Sequence, residues 1–501
     1  MTQAKLALLK QISFGHRIAE EEAGDLSRYF VETDQWKRIF SGEIDIVYGA
    51  KGSGKSAIYA LLIARENELF DRGIITVAAE NVRGAPAFRD LVVDPPMNQR
   101  EFMGLWKLYL LSLVGQKLRE FDLRSSSSKR VQRELEEAGL LPVDGTLQKL
   151  LRATLQYARK ILSWEAAQGT LELDQHTGLP VGVTAKITFR ELSAEESKKG
   201  LISINELFSL ANEALHEAKL SLWLMLDRLD VAFADTEELE KNALRALFQT
   251  YLDLRANENI VLKIFLRTDI WKRITLEGFR EASHVTRHLT ISWDESSLLN
   301  LTIRRLLSLN AITSPYHVNP GSTLADIGQQ RALFYRIYPN QVDIGERKPT
   351  TFDWMLSRTS DGFKRSAPRE LVHLLNSIRE VQIRKLENGD EEPPDELLFA
   401  RTSIKEGLSE VSTTRLTQTL YAEYPQYKDL LDKLRGEKSE QYASTLAKIW
   451  GLNEEAAGRL ASSLVDIGFF ERRGTKDDPI YWVPFLYRDA LSLVQGAAEQ
   501  V

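Results

Sequence analysis

The stretch "EIDIVYGAKGSGKSAIYALL", residues 43–62, decides how the rest of the chain is read. Its first seven residues read as a strand ended by glycine. Residues 55–68 read as a helix, with Ile58, Leu61, Leu62 and Arg65 at helical spacing. Between them "GAKGSGKS", 49–56, fits the pattern G-x-x-x-x-G-K-[ST]. Each residue type in that pattern has a task. Gly49, Gly52 and Gly54 let the backbone wrap closely round phosphate oxygens. The loop's N–H groups, with those of the following helix N-terminus, form an anion nest bounded by Lys51, Ser53 and Ala57 as well. Lys55 places a compact positive charge on β and γ phosphates, and Ser56 offers a hydroxyl to magnesium. The pattern sits between a strand and a helix, as the mechanism requires, so the expected cofactors are ATP and Mg.

Working outward, "GIITVAAEN", 73–81, reads as a second strand, and strand–loop–helix–strand opens a parallel α/β sheet. "LWLMLD", 222–227, is a hydrophobic run ending in Asp227. A carboxylate at such a strand end holds magnesium, usually through water. The separation from Lys55 to Asp227 is long for two strands of one small core, so residues of about 98–205 read as an insertion. That insertion is mostly helical, with a β-hairpin expected over 168–189 and a loop at "SSSS", 125–128. Further strands are expected at 260–267 and 288–293. The former ends in "RTD", where Arg267 or Thr268 is placed to sense a γ-phosphate. Helices follow from about 295. The acidic, proline-containing "ENGDEEPPDE", 387–396, is the best linker candidate.

The bulk properties set bounds. A chain of 501 residues has a prior of about two to four domains. Its 43% hydrophobic and 27% charged content is that of a soluble globular protein. A net charge of -6 argues against a chain-wide nucleic-acid coat. The absence of cysteine excludes disulfides, thiolate zinc sites and cysteine nucleophiles. The N-terminus lacks a signal-peptide pattern, and no run of apolar residues is long enough to span a membrane. A cytoplasmic location is expected. His284 and His288 are spaced i,i+4 but lack the frame of a metal site.

The order of these motifs resembles the AAA+ and STAND branches of P-loop ATPases that carry a C-terminal winged helix, and within them the bacterial origin-recognition-like ATPases found near genes for defence against mobile elements. The resemblance is carried by "FGHRIAEEEAGDLSRYFVET" (14–33), "GAKGSGKSAIYALL" (49–62), "LMLDRLD" (224–230), "IFLRTD" (264–269), "TISWDESSLLNLTIRRL" (290–306) and "SAPRELVHLL" (366–375). It implies an α/β fold: a parallel-sheet P-loop NTPase core with a mostly helical insertion, a helical lid and a C-terminal winged helix. The implied bounds are a segment 1–42, a core 43–295, a lid 296–388 and a winged-helix domain with its helical linker, 397–501. It further implies that Phe14 and Gly15 lie against adenine, and that Arg369 is the lid arginine reaching ATP. One of Arg273, Arg280 and Arg287 would reach a neighbouring subunit's nucleotide, and a homo-oligomer or an effector protein is the expected partner.

The chain departs from the family at Arg228, which stands where many members have a glutamate that activates water. Arginine stays protonated and cannot accept water's proton. Asp230 and Glu80 are the two carboxylates that could replace it, which points to slow hydrolysis and a switch rather than a motor. At the C-terminus, "SEQYASTLAKIWGL" and "NEEAAGRLASSLVDIG" read as two helices and "FFERRGTKDDPIYWVPF" as a hairpin wing. Glu454, Glu455 and Asp466 offset Arg459, so DNA contact through this module is possible but not favoured. An initiator-like DNA-binding ATPase and a non-hydrolysing ATP-bound scaffold are the alternative functions.

Overall fold

The computed structural model describes residues 2–15, 26–80, 98–142, 146–167, 186–198, 200–229, 237–276, 278–308, 310–390, 392–475 and 478–499. They form two compact units. One comprises Asp34–Ala50 and Lys55–Ile291; the other comprises Met1–Thr33, Lys51–Gly54 and Ser292–Val501.

The first unit is built on a five-stranded sheet: β1 (Ile46–Gly49), β2 (Ile74–Ala78), β3 (Ser221–Leu226), β4 (Ile260–Arg267) and β5 (His288–Thr290). Their order is β2-β3-β4-β1-β5, and every pairing is parallel. The sequences explain this. "IVYG" and "LWLML" are near-continuous apolar runs, which suit strands covered on both faces. β1 lies inside the sheet, with Gly49 abreast of Arg267 on one side and Tyr48 abreast of Thr290 on the other. The chain leaves β1 toward one edge and returns on its other side at β5. Such a reversal opens a crevice at the C-terminal ends of the strands, where ligands of α/β sheets bind.

The insertion is helical over Gln99–Glu120, Ser126–Glu137, Leu147–Ala167 and Ile204–Glu217. Asn98 starts the first helix with a reciprocal cap: its side chain accepts from Glu101 N, and the Glu101 carboxylate accepts from Asn98 N. The serine run is not a loop. Ser125 accepts from Ser128 N at 3.1 Å and caps a helix that begins at Ser126, because a serine hydroxyl satisfies an orphan first-turn N–H. Most of the expected hairpin lies outside the described residues. Its far end, Ile187–Thr188, pairs in parallel with Ile202–Ser203. These helices share one apolar core with the sheet, including Trp106, Leu110, Phe208, Leu247 and Phe248.

The second unit is mainly helical and ends in a four-stranded sheet. Two of its long helices, Pro368–Glu387 and Arg401–Thr414, approach so closely that a Cβ on Gly407 would stand 2.9 Å from Ile378 N. The expected linker is a short loop between them, pinned where Lys5 Nζ donates to the carbonyls of Pro393 and Asp395 at 2.6 and 2.8 Å. The C-terminal sheet has strands β6 (Lys438–Gln441), β7 (Glu471–Gly474), β8 (Pro479–Trp482) and β9 (Val494–Ala497) in the order β9-β6-β8-β7. With helices Ala443–Trp450 and Glu454–Asp466 it forms the winged helix. Residues 439–441, expected to start a helix, belong instead to strand β6, which pairs with β8 and β9. The next helix matches the reading: Asn453 caps it by accepting from Ala456 N at 2.8 Å. β7 and β8 are the antiparallel wing.

Candidate nucleotide site

In the sheet unit, β1 ends at Gly49 and the helix Lys55–Ala64 begins the next described element of that unit. Lys55 Nζ donates to the carbonyls of Gly49 and Ala50, both at 3.0 Å, so the ammonium is folded back over its own loop. Ser56 and Ala57 are the second and third residues of that helix. Its next turn carries Tyr59, whose hydroxyl donates to the Glu80 carbonyl at 2.8 Å. Tyr109 donates likewise to the Ala79 carbonyl at 2.8 Å. The two phenols fix the backbone just beyond β2 and so position Glu80, which is fully buried.

Asp227 follows β3 directly and is 3% exposed. Burial pushes the Tyr59 hydroxyl far up, and the charges of Asp227 and Glu80 add to this while Arg228 opposes it. Those three charges therefore all act on one position of the helix. Arg228 has φ +57°. That is an unusual conformation for a bulky residue and stores strain beside the carboxylate. Asp230 lies outside the described residues.

Arg267, at the end of β4, is held by Asp269 in a two-point pair, Nε–Oδ1 at 3.1 Å and Nη2–Oδ2 at 2.7 Å. Burial acts to raise the Asp269 carboxyl. The hydrogen bond and charge of Arg267 outweigh it, Lys55 adds to them, and the net direction is down. The neighbouring Thr268 hydroxyl is buried with no hydrogen-bond partner. Of the three candidate trans arginines, Arg273 pairs with Glu240 at 2.5 Å and Arg287 with Asp45 at 2.7 Å, while Arg280 is exposed.

Residues 51–54 of the same loop belong to the second unit, and there the loop has partners of which the sequence had pointed only to Arg369. Lys51 Nζ forms an ion pair with Glu423. The Trp293 indole N–H donates to the Ser53 carbonyl at 2.8 Å. Gly52 has φ +78°, and a Cβ there would stand 2.9 Å from Arg369 Cβ and 3.3 Å from Glu370 Oε2. Glu370 is in turn held by Arg415 at 2.7 Å. Ser53 Oγ and Arg369 Nε are both buried without a hydrogen-bond partner. Trp293 and Glu370 lie inside the motifs "TISWDESS" and "SAPRELVHLL"; nothing in the sequence ties Glu423 to Lys51.

Phe14 is fully buried in the helical core. Its carbonyl accepts from Arg305, and the Gly15 carbonyl accepts from Asn376 Nδ2 at 2.8 Å. The segment expected to face adenine is thus anchored by two helices, one of them the helix of Arg369.

The residues present fit a polyphosphate with a cation. Two glycines at positive φ, Gly52 and Gly54, form a loop tip that a Cβ would foul at Gly52, and the buried Ser53 hydroxyl between them lacks a partner. Among the described residues no group of three or more His, Cys, Asp or Glu side chains could hold a metal unaided.

No protein-family model and no curated protein matches the chain. Among solved structures it is similar to the Aeropyrum pernix ORC1 protein in complex with DNA, at 12% identity and a TM-score of 0.29, over 75% of this chain and 92% of that one. It is also similar to the Aeropyrum pernix ORC2 protein in ADPNP–ADP complexes, at 12% identity and a TM-score of 0.28, over 94% and 93% of the two chains. The fold assignment rests on the strand order and the loop, not on likenesses of this size. No helix among the described residues is long and apolar enough to cross a membrane.

Proposed function

We propose that the protein is a magnesium-dependent P-loop ATPase acting as a nucleotide-controlled conformational or oligomeric switch. The observation that carries the switch is the loop tip. Lys51, Gly52 and Ser53 are each touched by a side chain from the C-terminal part of the sequence: Glu423, Arg369 with Glu370, and Trp293. A loop gripped in this way cannot take up phosphates without its partners responding, and a ligand shifts an equilibrium by its differential affinity for the two states.

Lys55 would hold the β and γ phosphates, with backbone N–H groups of Gly49, Lys51, Gly52, Ser53, Gly54, Ser56 and Ala57 around them. Ser56 and Asp227 would hold magnesium, which neutralises phosphate charge when bound. Arg369 and either Arg267 or Thr268 would report the γ-phosphate. Phe14 would stand on the adenine side. Glu80 or Asp230 would take water's proton, since Arg228 cannot. A role in prokaryotic defence against mobile elements rests on the sequence resemblance alone, and the cytoplasmic location on the composition and the N-terminal pattern of the sequence. The DNA-binding alternative gains little from the winged helix, where Arg459 is paired with Glu455 at 2.5 Å.

The test is mass under native conditions with and without ATP and magnesium, with nucleotide content measured alongside. Bound nucleotide and an ATP-dependent change in mass or shape are expected. Bound ATP that survives long incubation with no such change would identify a scaffold instead.

A further inference from the structure

The winged-helix end of the second unit carries an alternating stack of cations and rings that the nucleotide reading does not use. Arg473 lies 3.8 Å from the centroid of the Trp482 ring, and Arg488 lies 4.5 Å from the same centroid. Arg488 is also 4.1 Å from the Phe485 ring, which Arg358 approaches to 4.2 Å. Arg358 in turn lies 4.7 Å from the Trp354 ring. Neighbouring guanidiniums share a ring, so they lie no farther apart than the sum of their two distances to it.

Stacking alone would make this a structural tie, since a ring face attracts a guanidinium. It leaves one requirement unmet. A ring offers nothing to the N–H groups, which point outward in the guanidinium plane and need acceptors at the edge of the stack. Arg473 has one, being held by Glu471 at 2.7 and 3.0 Å, although Glu471 also serves Lys364 at 3.1 Å. Arg358 and Arg488 form no ion pair among the described residues; Arg358 Nη1 donates only to Ser357 Oγ at 2.9 Å. Arg488 is only 7% exposed, and its Nε donates to the Val483 carbonyl at 2.9 Å. Its Nη2 is buried with no partner. Burial pushes the Arg488 guanidinium down to about 10, the charges of Arg358 and Arg473 add to that, and Glu440 opposes it. Arg488 therefore feels both neighbouring cations.

We infer that the edge of this stack is a binding site for a small phosphate-bearing anion, held by Arg488 at the centre with Arg358 and Arg473 on either side. A tetrahedral oxyanion has acceptors in several directions and meets separate guanidinium forks, whereas a carboxylate satisfies one fork in one plane. Phosphate is thus the favoured class. A ligand there would bridge the helix Thr351–Thr359, which bears Arg358, to the wing strands β7 and β8 with Arg473 and Trp482.

The experiment is equilibrium dialysis of radiolabelled inorganic phosphate against the full chain carrying Lys55→Ala, which removes the phosphate loop from competition. It therefore succeeds or fails independently of the nucleotide reading. One saturable phosphate per chain is expected, with a change in Trp482 fluorescence that a Trp482→Phe variant identifies. Arg488→Gln and Arg358→Gln in that background should each weaken binding about tenfold or more, the loss of one charge-assisted hydrogen-bonding fork. Arg358 is half-buried, so its variant serves if Arg488→Gln does not fold. No saturable uptake, or equal affinity in a folded variant, overturns the inference. So does a short single-stranded oligonucleotide that displaces phosphate and binds more tightly with the same arginine dependence, because the site would then be a nucleic-acid backbone contact.

Discussion

Gly52 and Arg369 meet at the tip of the phosphate loop so closely that a Cβ on the glycine would stand 2.9 Å from the arginine's own Cβ. Gly52 also has φ +78°, where an L side chain is strained by roughly 1–2 kcal/mol. Neither atom in that contact is the far end of a flexible chain, so relief requires backbone movement. Gly52→Ala should leave the secondary structure intact by circular dichroism and weaken ATP binding by about tenfold. Wild-type affinity would show that the loop and its partner separate at no cost.

Arg369 opens the helix Pro368–Glu387, whose Leu371, Leu374 and Leu375 are all fully buried. Pro368 occupies the first helical position, where its missing N–H costs nothing. The Arg369 Nε is buried without a partner, as expected of a side chain that awaits an anion. A charged hydrogen bond to a γ-phosphate is worth about 1.5–3 kcal/mol, or about 10- to 150-fold. Arg369→Ala should weaken ATP selectively and leave ADP nearly unchanged in calorimetric titrations. Equal affinity of mutant and wild type for ATP would make this an ordinary helix-start arginine.

Glu423 occupies the Lys51 ammonium, and Glu370 stands beside Gly52, so two carboxylates flank the segment proposed to receive a polyphosphate. Glu423→Gln removes one negative charge there. The pair is partly exposed, which limits its worth to under about 1 kcal/mol. ATP affinity should therefore rise by no more than about fivefold, and more at low salt than at high salt. A fall in affinity would mean that Glu423 holds Lys51 in the binding conformation.

Asp227 and Glu80 can be separated by chemistry that nearly preserves shape. Asp227→Asn should keep nucleotide binding and lose magnesium-dependent turnover. Glu80→Gln removes a proton acceptor and should cut turnover by about 10²-fold if Glu80 is the base. Wild-type turnover in Glu80→Gln shifts the role to Asp230, and the same result in Asp230→Asn leaves neither carboxylate as the base. Loss of binding in Asp227→Asn would make that carboxylate structural.

The sheet and the loop were legible because each is written locally. β1, β3 and β4 are apolar runs that need cover on both faces, and two of the three glycines of 49–54, Gly52 and Gly54, stand at positive φ. The Ser125 cap was misread because a serine run carries the same residues in a loop as at a helix start. Strand β6 was misread because "KSEQ" has little apolar character and is made a strand by its neighbours, β8 and β9. The partners of the loop tip were invisible for a different reason. Glu423 is separated from Lys51 by most of the chain, and no local pattern records a contact that only the tertiary fold creates.

Lys263 breaks the apolar run of β4 and is 1% exposed. Its ammonium lies 3.5 Å from Asp45, donates to the Ile44 carbonyl at 2.6 Å, and sits 4.0 Å from the centroid of the Trp223 ring. Asp45 is shared, since Arg287 reaches it at 2.7 Å and the Tyr251 hydroxyl at 3.2 Å. Burial pushes Lys263 down to about 8; Asp45 resists this and the Arg287 charge adds to it. In the unfolded chain the same amine titrates near about 10.4. Between those two values the unfolded chain holds a proton that the folded chain has released. Stability contributed by this position therefore rises with pH across that window, and the cost of the buried charge is fully present below it. One pKa unit corresponds to about 1.4 kcal/mol, so the change amounts to a few kcal/mol at most. Other groups titrate in the same range, but they cancel in a comparison with Lys263→Met. The unfolding free energy of wild type minus that of Lys263→Met, from urea titrations, should be flat at neutral pH and climb from about pH 8 to about 10.5. A difference that stays flat throughout would show that Lys263 keeps the proton affinity of a solvated lysine despite its burial.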